Sequence, residues 1–263
     1  MHPPRSAVVF SVALLLTWHS PHSNAAAGRV VIAEGGKRRV VVVDRESRAV
    51  IHENADFRRV DCLAQLWPDE LVVCDGSLFV RVGLDLSERR RTPTSFERVG
   101  SVTAWDSDRL LVSDTGRNAV VSIDSLGNEL SAIAVHYPST VVRLPSDHLI
   151  VADGTAALKV LEIDGTIVQR IPLRRWAASL DVDRDTGDML VGESLGYERF
   201  DAQRRQQWFR PSKSRVSCIQ HLPGGDVLLC EPDIHRVAIA DRDGVIVWEL
   251  PNLEYPWRAL YLP

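Results

Sequence analysis

Short apolar runs, each closed by a carboxylate, are spaced almost evenly along this chain. VVIAE ends at Glu34, LVVCD at Asp75, LLVSD at Asp114, LIVAD at Asp153, MLVGE at Glu193 and VLLCE at Glu231. The successive intervals are 41, 39, 39, 40 and 38 residues. Beyond each carboxylate a short polar turn leads into another apolar run that ends at Asp44, Asp85, Asp124, Asp164, Asp201 or Asp241. Runs this short, bounded by turn residues, read as strands rather than helices. Aspartate with glycine close behind, as in Asp164-Gly165, suits a hairpin turn because its side chain bonds the backbone locally and glycine accepts positive φ. Each unit therefore predicts four strands, a to d, joined by tight hairpins.

A period near forty with four short strands and no helical pattern is the signature of a β-propeller, one blade per repeat, and six repeats mean six blades. The chain enters at strand b of a blade and finishes with YPWRALYLP, Tyr255 to Pro263, which matches only strand a. YPSTVVRLP, Tyr137 to Pro145, opens the fourth blade with the same pattern. The final nine residues are accordingly expected beside Val30 to Ala33, closing the ring of a single domain over 28–263. Residues 1–27 stand apart: Arg5, an apolar run from Ala7 to Trp18, and Ala25 to Ala27 ahead of Gly28 have the layout of a cleaved secretory signal too short to span a bilayer. No cysteine lies near that cleavage point, and no other stretch suits a membrane helix. The expectation is a secreted or periplasmic protein whose core the 45% apolar residues fill.

Without the leader the chain carries 30 Lys and Arg against 35 Asp and Glu, a net charge of −5. Nucleic-acid binding needs a basic face, which this balance argues against. The short basic runs Arg89 to Arg91 and Arg204-Arg205 fall where an outer, solvated strand is expected.

VSDTGRNAVVSIDSLGN, Val112 to Asn128, resembles the NHL-type repeat of six-bladed propellers, with TolB-like proteins as the wider group; DRDGVIVWEL, Asp241 to Leu250, is similar to the c–d hairpin of quinoprotein-like and arylsulfotransferase-like propellers. The resemblance covers the chain from Gly28 onward as a pattern of short motifs. It implies the fold and little of the chemistry.

Four cysteines form two candidate pairs, Cys62 with Cys74 and Cys218 with Cys230, each twelve residues apart. In blades 2 and 6 alike, the first lies on strand a and the second on strand b, equidistant from the turn. Cross-strand neighbours can close a disulfide, the alternative being buried thiols, and neither spacing suits zinc. GESLG, Gly192 to Gly196, satisfies a nucleophile-elbow pattern around Ser194, but the repeat makes Glu193 a blade carboxylate and Tyr197 to Phe200 the next strand, so no strand-to-helix elbow is expected. His136, His221 and His235 lack metal-ligand spacing and read as ordinary residues.

Where strand a begins, the units place Arg59, Arg98, Tyr137, Arg175, Arg215 and, from the C-terminal segment, Tyr255. Strand a starts and strand b ends meet at one mouth of a propeller channel. The arginines can pair with the carboxylates and lock the sheets, and Asp75, Asp114 and Asp153 can cap their own turns. Alternatively Glu34, Glu193 and Glu231, with Trp176, Trp257, Arg258 and His136 nearby, form a polar rim for a small polar ligand or a cation. Trp67, Trp105, Leu144, Leu222 and Leu262 mark the far mouth and are expected to pack its bottom. The favoured reading is a non-catalytic secreted propeller that binds a small polar ligand or a protein partner at the rim. The alternative is a gluconolactonase-like, metal-assisted hydrolase or lactonase holding a divalent cation; against it, Asn118 is the only asparagine in a b–c turn and lies four residues past its carboxylate.

Overall fold

The computed structural model describes residues 28–106 and 108–263; the leader expected at 1–27 lies outside them. Six sheets of four antiparallel strands follow one another along the chain. Their inner strands, position a, are Cys62–Trp67, Val99–Ala104, Thr140–Arg143, Ala177–Val182 and Cys218–His221 for blades 2 to 6, and Pro256–Leu262 for blade 1. That last strand pairs with Arg29–Glu34, strand b of the first blade, with Val30 opposite Tyr261 and Ile32 opposite Ala259. The ring thus closes as expected, removing the edge that Val30 to Ala33 would otherwise expose.

Strands b and c are buried on both faces, hence their continuous apolar runs: Val30 to Ala33 and Val40 to Val43 are essentially inaccessible. Strand d lies outermost and is largely exposed; in Glu88–Pro93 it carries Arg89 to Arg91. Arg204 and Arg205 fall in the turn ahead of the outer strand Gln206–Pro211 rather than on it. The core is a ring of wedges between neighbouring blades. One wedge joins Val30, Ile32 and Val41 of blade 1 to Leu228, Val237 and Ile239 of blade 6; another joins Leu158 and Val160 of blade 4 to Met189 and Val191 of blade 5. Each fully buried aliphatic side chain contributes about 1.5–3 kcal/mol.

The second row of aspartates caps the c–d turns. Asp44 Oδ1 accepts from Ser47 N at 2.8 Å, Asp124 Oδ1 from Leu126 N and Asn128 N at 2.8 Å, and Asp241 Oδ1 from Asp243 N and Val245 N at 2.9 Å. GESLG is the two-residue hairpin between Met189–Glu193 and Gly196–Phe200. Gly196 takes φ +152°, and a Cβ there would sit 2.4 Å from the Arg210 carbonyl oxygen, so glycine is required by close packing. Both cysteine pairs are disulfides across paired positions, each with a Cα–Cα distance of 4.9 Å.

Two consequences can be measured. Deleting Tyr255 to Pro263 removes the inner strand of blade 1 and should lower the calorimetric melting temperature sharply; an unchanged value would refute the closure. Reducing both disulfides should lower stability by roughly 2–3 kcal/mol each, read as the difference between urea melts with and without reductant.

Candidate functional site

The six repeated carboxylates are buried, none more than 3% exposed. A buried carboxylate needs protein donors, and these come first from the segments that cross from one blade to the next. Asp75 Oδ1 accepts from Arg58 N and Arg59 N at 2.8 and 2.9 Å, and Glu193 Oε1 from Arg174 N and Arg175 N at 3.1 and 3.2 Å. Asp114 Oδ1 takes Arg98 N at 3.4 Å, and Glu34 Oε1 takes Glu254 N. In blade 6 the crossover is held by Ser212 Oγ on Glu231 and by Asp233, which accepts from Arg215 N at 3.0 Å. In blade 4, Asp153 bonds Thr155 instead, and Asn118 Oδ1 accepts from Tyr137 N at 2.8 Å. The strand a arginines therefore meet the carboxylates through their backbone, not their guanidinium groups. Arg59, Arg98, Tyr137, Arg175, Arg215 and Tyr255 lie one to three positions ahead of strand a, in the crossovers, while Trp257 and Arg258 lie on strand a of blade 1.

The cations that do pair with these carboxylates lie mostly on strand c. Arg39 Nε donates to Glu34 Oε2 at 2.6 Å and its Nη1 to Glu53 at 3.0 Å; Arg236 joins Glu231 at 2.6 Å to Glu249 at 2.9 Å. Arg117 stands 3.8 Å from Asp114 and 2.8 Å from Glu129. Lys159 pairs with Asp153, and in blade 2 the cation is Arg91 of strand d, 3.2 Å from Asp75. Sequence reasoning missed this row, although the spacing was visible: Glu34 and Glu231 each have an arginine five residues on.

Blade 5 breaks the rule, because the residue five past Glu193 is Glu198, also buried. Gln206 Nε2 donates to Glu198 Oε2 at 2.6 Å, while Glu193 Oε2 and Glu198 Oε1 have no other donor. Burial first, and then the Glu193 carboxylate beside it, push the Glu198 carboxyl up to about 8. Glu198 therefore keeps its proton where an ordinary carboxyl has lost it.

With the carboxylates turned inward, the rim that solvent meets is cationic and aromatic. Arg59, Arg98 and Arg175 are exposed, Arg215 and Trp257 half-buried. Arg59 Nε reaches Asp61 at 2.5 Å, and Arg98 lies 5.9 Å over the Tyr137 ring. On the opposite side of the mouth Tyr255 and Trp257 stack with centroids 5.8 Å apart and planes 7° from parallel. Arg215 lies over both rings, bonds the Tyr255 hydroxyl and stands 3.7 Å from Asp233; Arg258 lies 5.2 Å from the Trp257 centroid. Trp176 is half-buried and His136 exposed at the same mouth.

Below the rim the channel holds a cavity of about 430 Å³ bounded by Arg258 and by residues of all six inner strands. Trp105, Leu144, Leu222 and Leu262 do not seal its far end, because their side chains turn into the wedges between blades. At that end Asp181 Oδ2 accepts from His221 N at 2.7 Å and from His221 Nδ1 at 2.9 Å, a link from blade 5 to blade 6. His235 Nδ1 bonds the Leu253 carbonyl at 3.1 Å and fastens the closing crossover. Among the described residues no group of three or more His, Cys, Asp or Glu is placed to hold a metal ion.

This arrangement defines a six-bladed β-propeller. The chain is similar to a protein of unknown function from Bacteroides caccae, at 12% identity and a TM-score of 0.74 over 90% of this chain and 99% of that one. It is similar also to a chain of the nidogen/laminin complex, at 12% identity and TM-score 0.71, covering 90% and 98%, and to streptogramin B lyase, at 11% and 0.63, covering 85% and 79%. The expected resemblance to NHL-like and TolB-like propellers holds as a resemblance of fold. No family model matches the sequence, and no characterised protein matches it.

The paired acids of blade 5 give stability a definite pH dependence. The folded state raises the Glu198 value above the ordinary 4.5, so the stabilisation from its proton is complete below 4.5 and lost as pH rises through about 8. Turn aspartates such as Asp124, held low by Asn128, are already ionised in that window. Urea melts from pH 5 to 9 should show stability falling, and Glu198→Gln should flatten the fall and exceed wild type at pH 9. A flat wild-type profile would remove the raised Glu198 value.

Proposed function

We propose that this protein is a non-catalytic binding propeller, working outside the cytoplasm, whose rim engages exposed carboxylates of a protein partner. The observation that carries the reading is the Arg215, Tyr255, Trp257 and Arg258 stack. Arginine, tyrosine and tryptophan are the residues that dominate the energetics of interfaces, and here they are ordered before any partner arrives. Among the described residues the exposed side chains of Arg98 and Arg175 form no ion pair, so the mouth presents positive charge on an acidic protein. Two disulfides suit an oxidising compartment, and no helix among the described residues is long and apolar enough to cross a membrane. A similar propeller in the nidogen/laminin complex supports a role in protein assembly.

A metal-assisted hydrolase has less support, because its carboxylates would have to converge, whereas Glu34, Glu193 and Glu231 are each engaged within their own blade. Selection from a random peptide display library should enrich acidic sequences on the wild type. Arg215→Ala and Tyr255→Ala should each weaken the selected peptides by about tenfold, or 1.4 kcal/mol, without lowering the melting temperature appreciably. Selection without acidic enrichment, or variants that bind as tightly, would overturn the reading.

A further inference from the structure

Arg258 sits on the ring-closing strand, only 9% exposed, and its guanidinium lies inside the channel. Its Nη2 donates to the Gly100 carbonyl at 2.6 Å. Gly100 belongs to blade 3 and Arg258 to blade 1, so this bond is made across the channel rather than between neighbouring blades. It leaves Nη1 buried with no partner. A buried guanidinium satisfied by one carbonyl is an expensive arrangement, since an unpaired donor forfeits its hydration and a cation forfeits more.

The cavity that Arg258 lines contains no rim residue besides itself. It runs along the inner strands to Gln65 and Arg184, both exposed at its outer edge. Its volume of about 430 Å³ lies in the range of small-molecule sites. Most of its polar groups are already committed to joining blades. Ser179 Oγ donates to the Val216 carbonyl, Thr103 Oγ1 to the Val141 carbonyl, and Asp181 accepts from His221. What remains is a cation at the floor and a second, Arg184, at the entrance.

We propose that the channel is a binding site for a small carboxylate, which enters from the face opposite the rim and is anchored by the guanidinium of Arg258. The carboxylate supplies an acceptor and a negative charge to a guanidinium that has one carbonyl; the cavity's own carboxylate, Asp181, is held by His221. Burial first and then Arg215 hold the Arg258 value down to about 10, and a bound anion relieves that. The site shares Arg258 with the rim stack but is separable from it, because neither Arg215 nor Tyr255 lines the channel.

The test titrates the intact protein with sodium acetate, succinate or gluconate, and with inorganic phosphate, against sodium chloride at equal ionic strength. Calorimetry and melting temperature are both followed. At least one carboxylate should bind saturably and raise the melting temperature. Arg258→Met should weaken that binding by tenfold or more without losing stability, since it removes an unpaired buried charge. Ala104→Trp, which fills the cavity without touching Arg258, should abolish the binding while leaving rim peptides bound, and Arg215→Ala should do the reverse. No saturable response to any carboxylate, an equal response to phosphate, or a response that survives Ala104→Trp would overturn the assignment.

Discussion

A carboxylate cut off from water must be satisfied by the protein around it, and six of them at equivalent positions organise this molecule. Each sits where strand b ends, at the point where the crossover from the preceding blade arrives. In blades 1, 2, 3 and 5 it accepts that crossover's backbone N–H groups. The bond converts a flexible connection into a fixed approach to strand a. The rim residues ahead of strand a ride on these crossovers, so their positions follow from a buried interaction that they do not make with their own side chains.

The second consequence concerns charge. Because strand c supplies Arg39, Lys159 and Arg236, a b–c turn supplies Arg117, and strand d supplies Arg91, the carboxylates are neutralised inside the blades. Two crossover arginines, Arg98 and Arg215, are then left to lie over aromatic rings at the mouth. An acidic chain thus shows a basic, aromatic face in one place, a separation that the net charge of −4 conceals. Blade 5 departs from the scheme with a proton in place of the cation.

Ring closure does more than remove an edge. It brings the last strand of the chain into the first blade, and with it Arg258 into the channel opposite Gly100, a residue 158 positions earlier. Apolar wedges hold the blades at fixed angles, hydroxyls at Ser139, Ser179 and Ser217 tie each of blades 4, 5 and 6 to the next one round, and the space left on the axis is a cavity.

The six-fold period, the strand order, the closing segment, both cysteine pairs and the turn aspartates were all legible in the sequence, because each depends on contacts between neighbouring strands. Local spacing is enough to define such contacts. The b-to-c pairing of Glu34 with Arg39 belonged to the same class and was legible, though it was overlooked. The fates of the rim and the channel were not legible. Whether Arg59, Arg98 and Arg175 touch the carboxylates with guanidinium or with backbone depends on the path of each crossover. Whether Trp105 and Leu144 plug the channel or enter a wedge depends on the angle between blades. Both are properties of the closed ring, which sums small rotations over the whole circle, and no stretch of sequence shorter than the circle contains them.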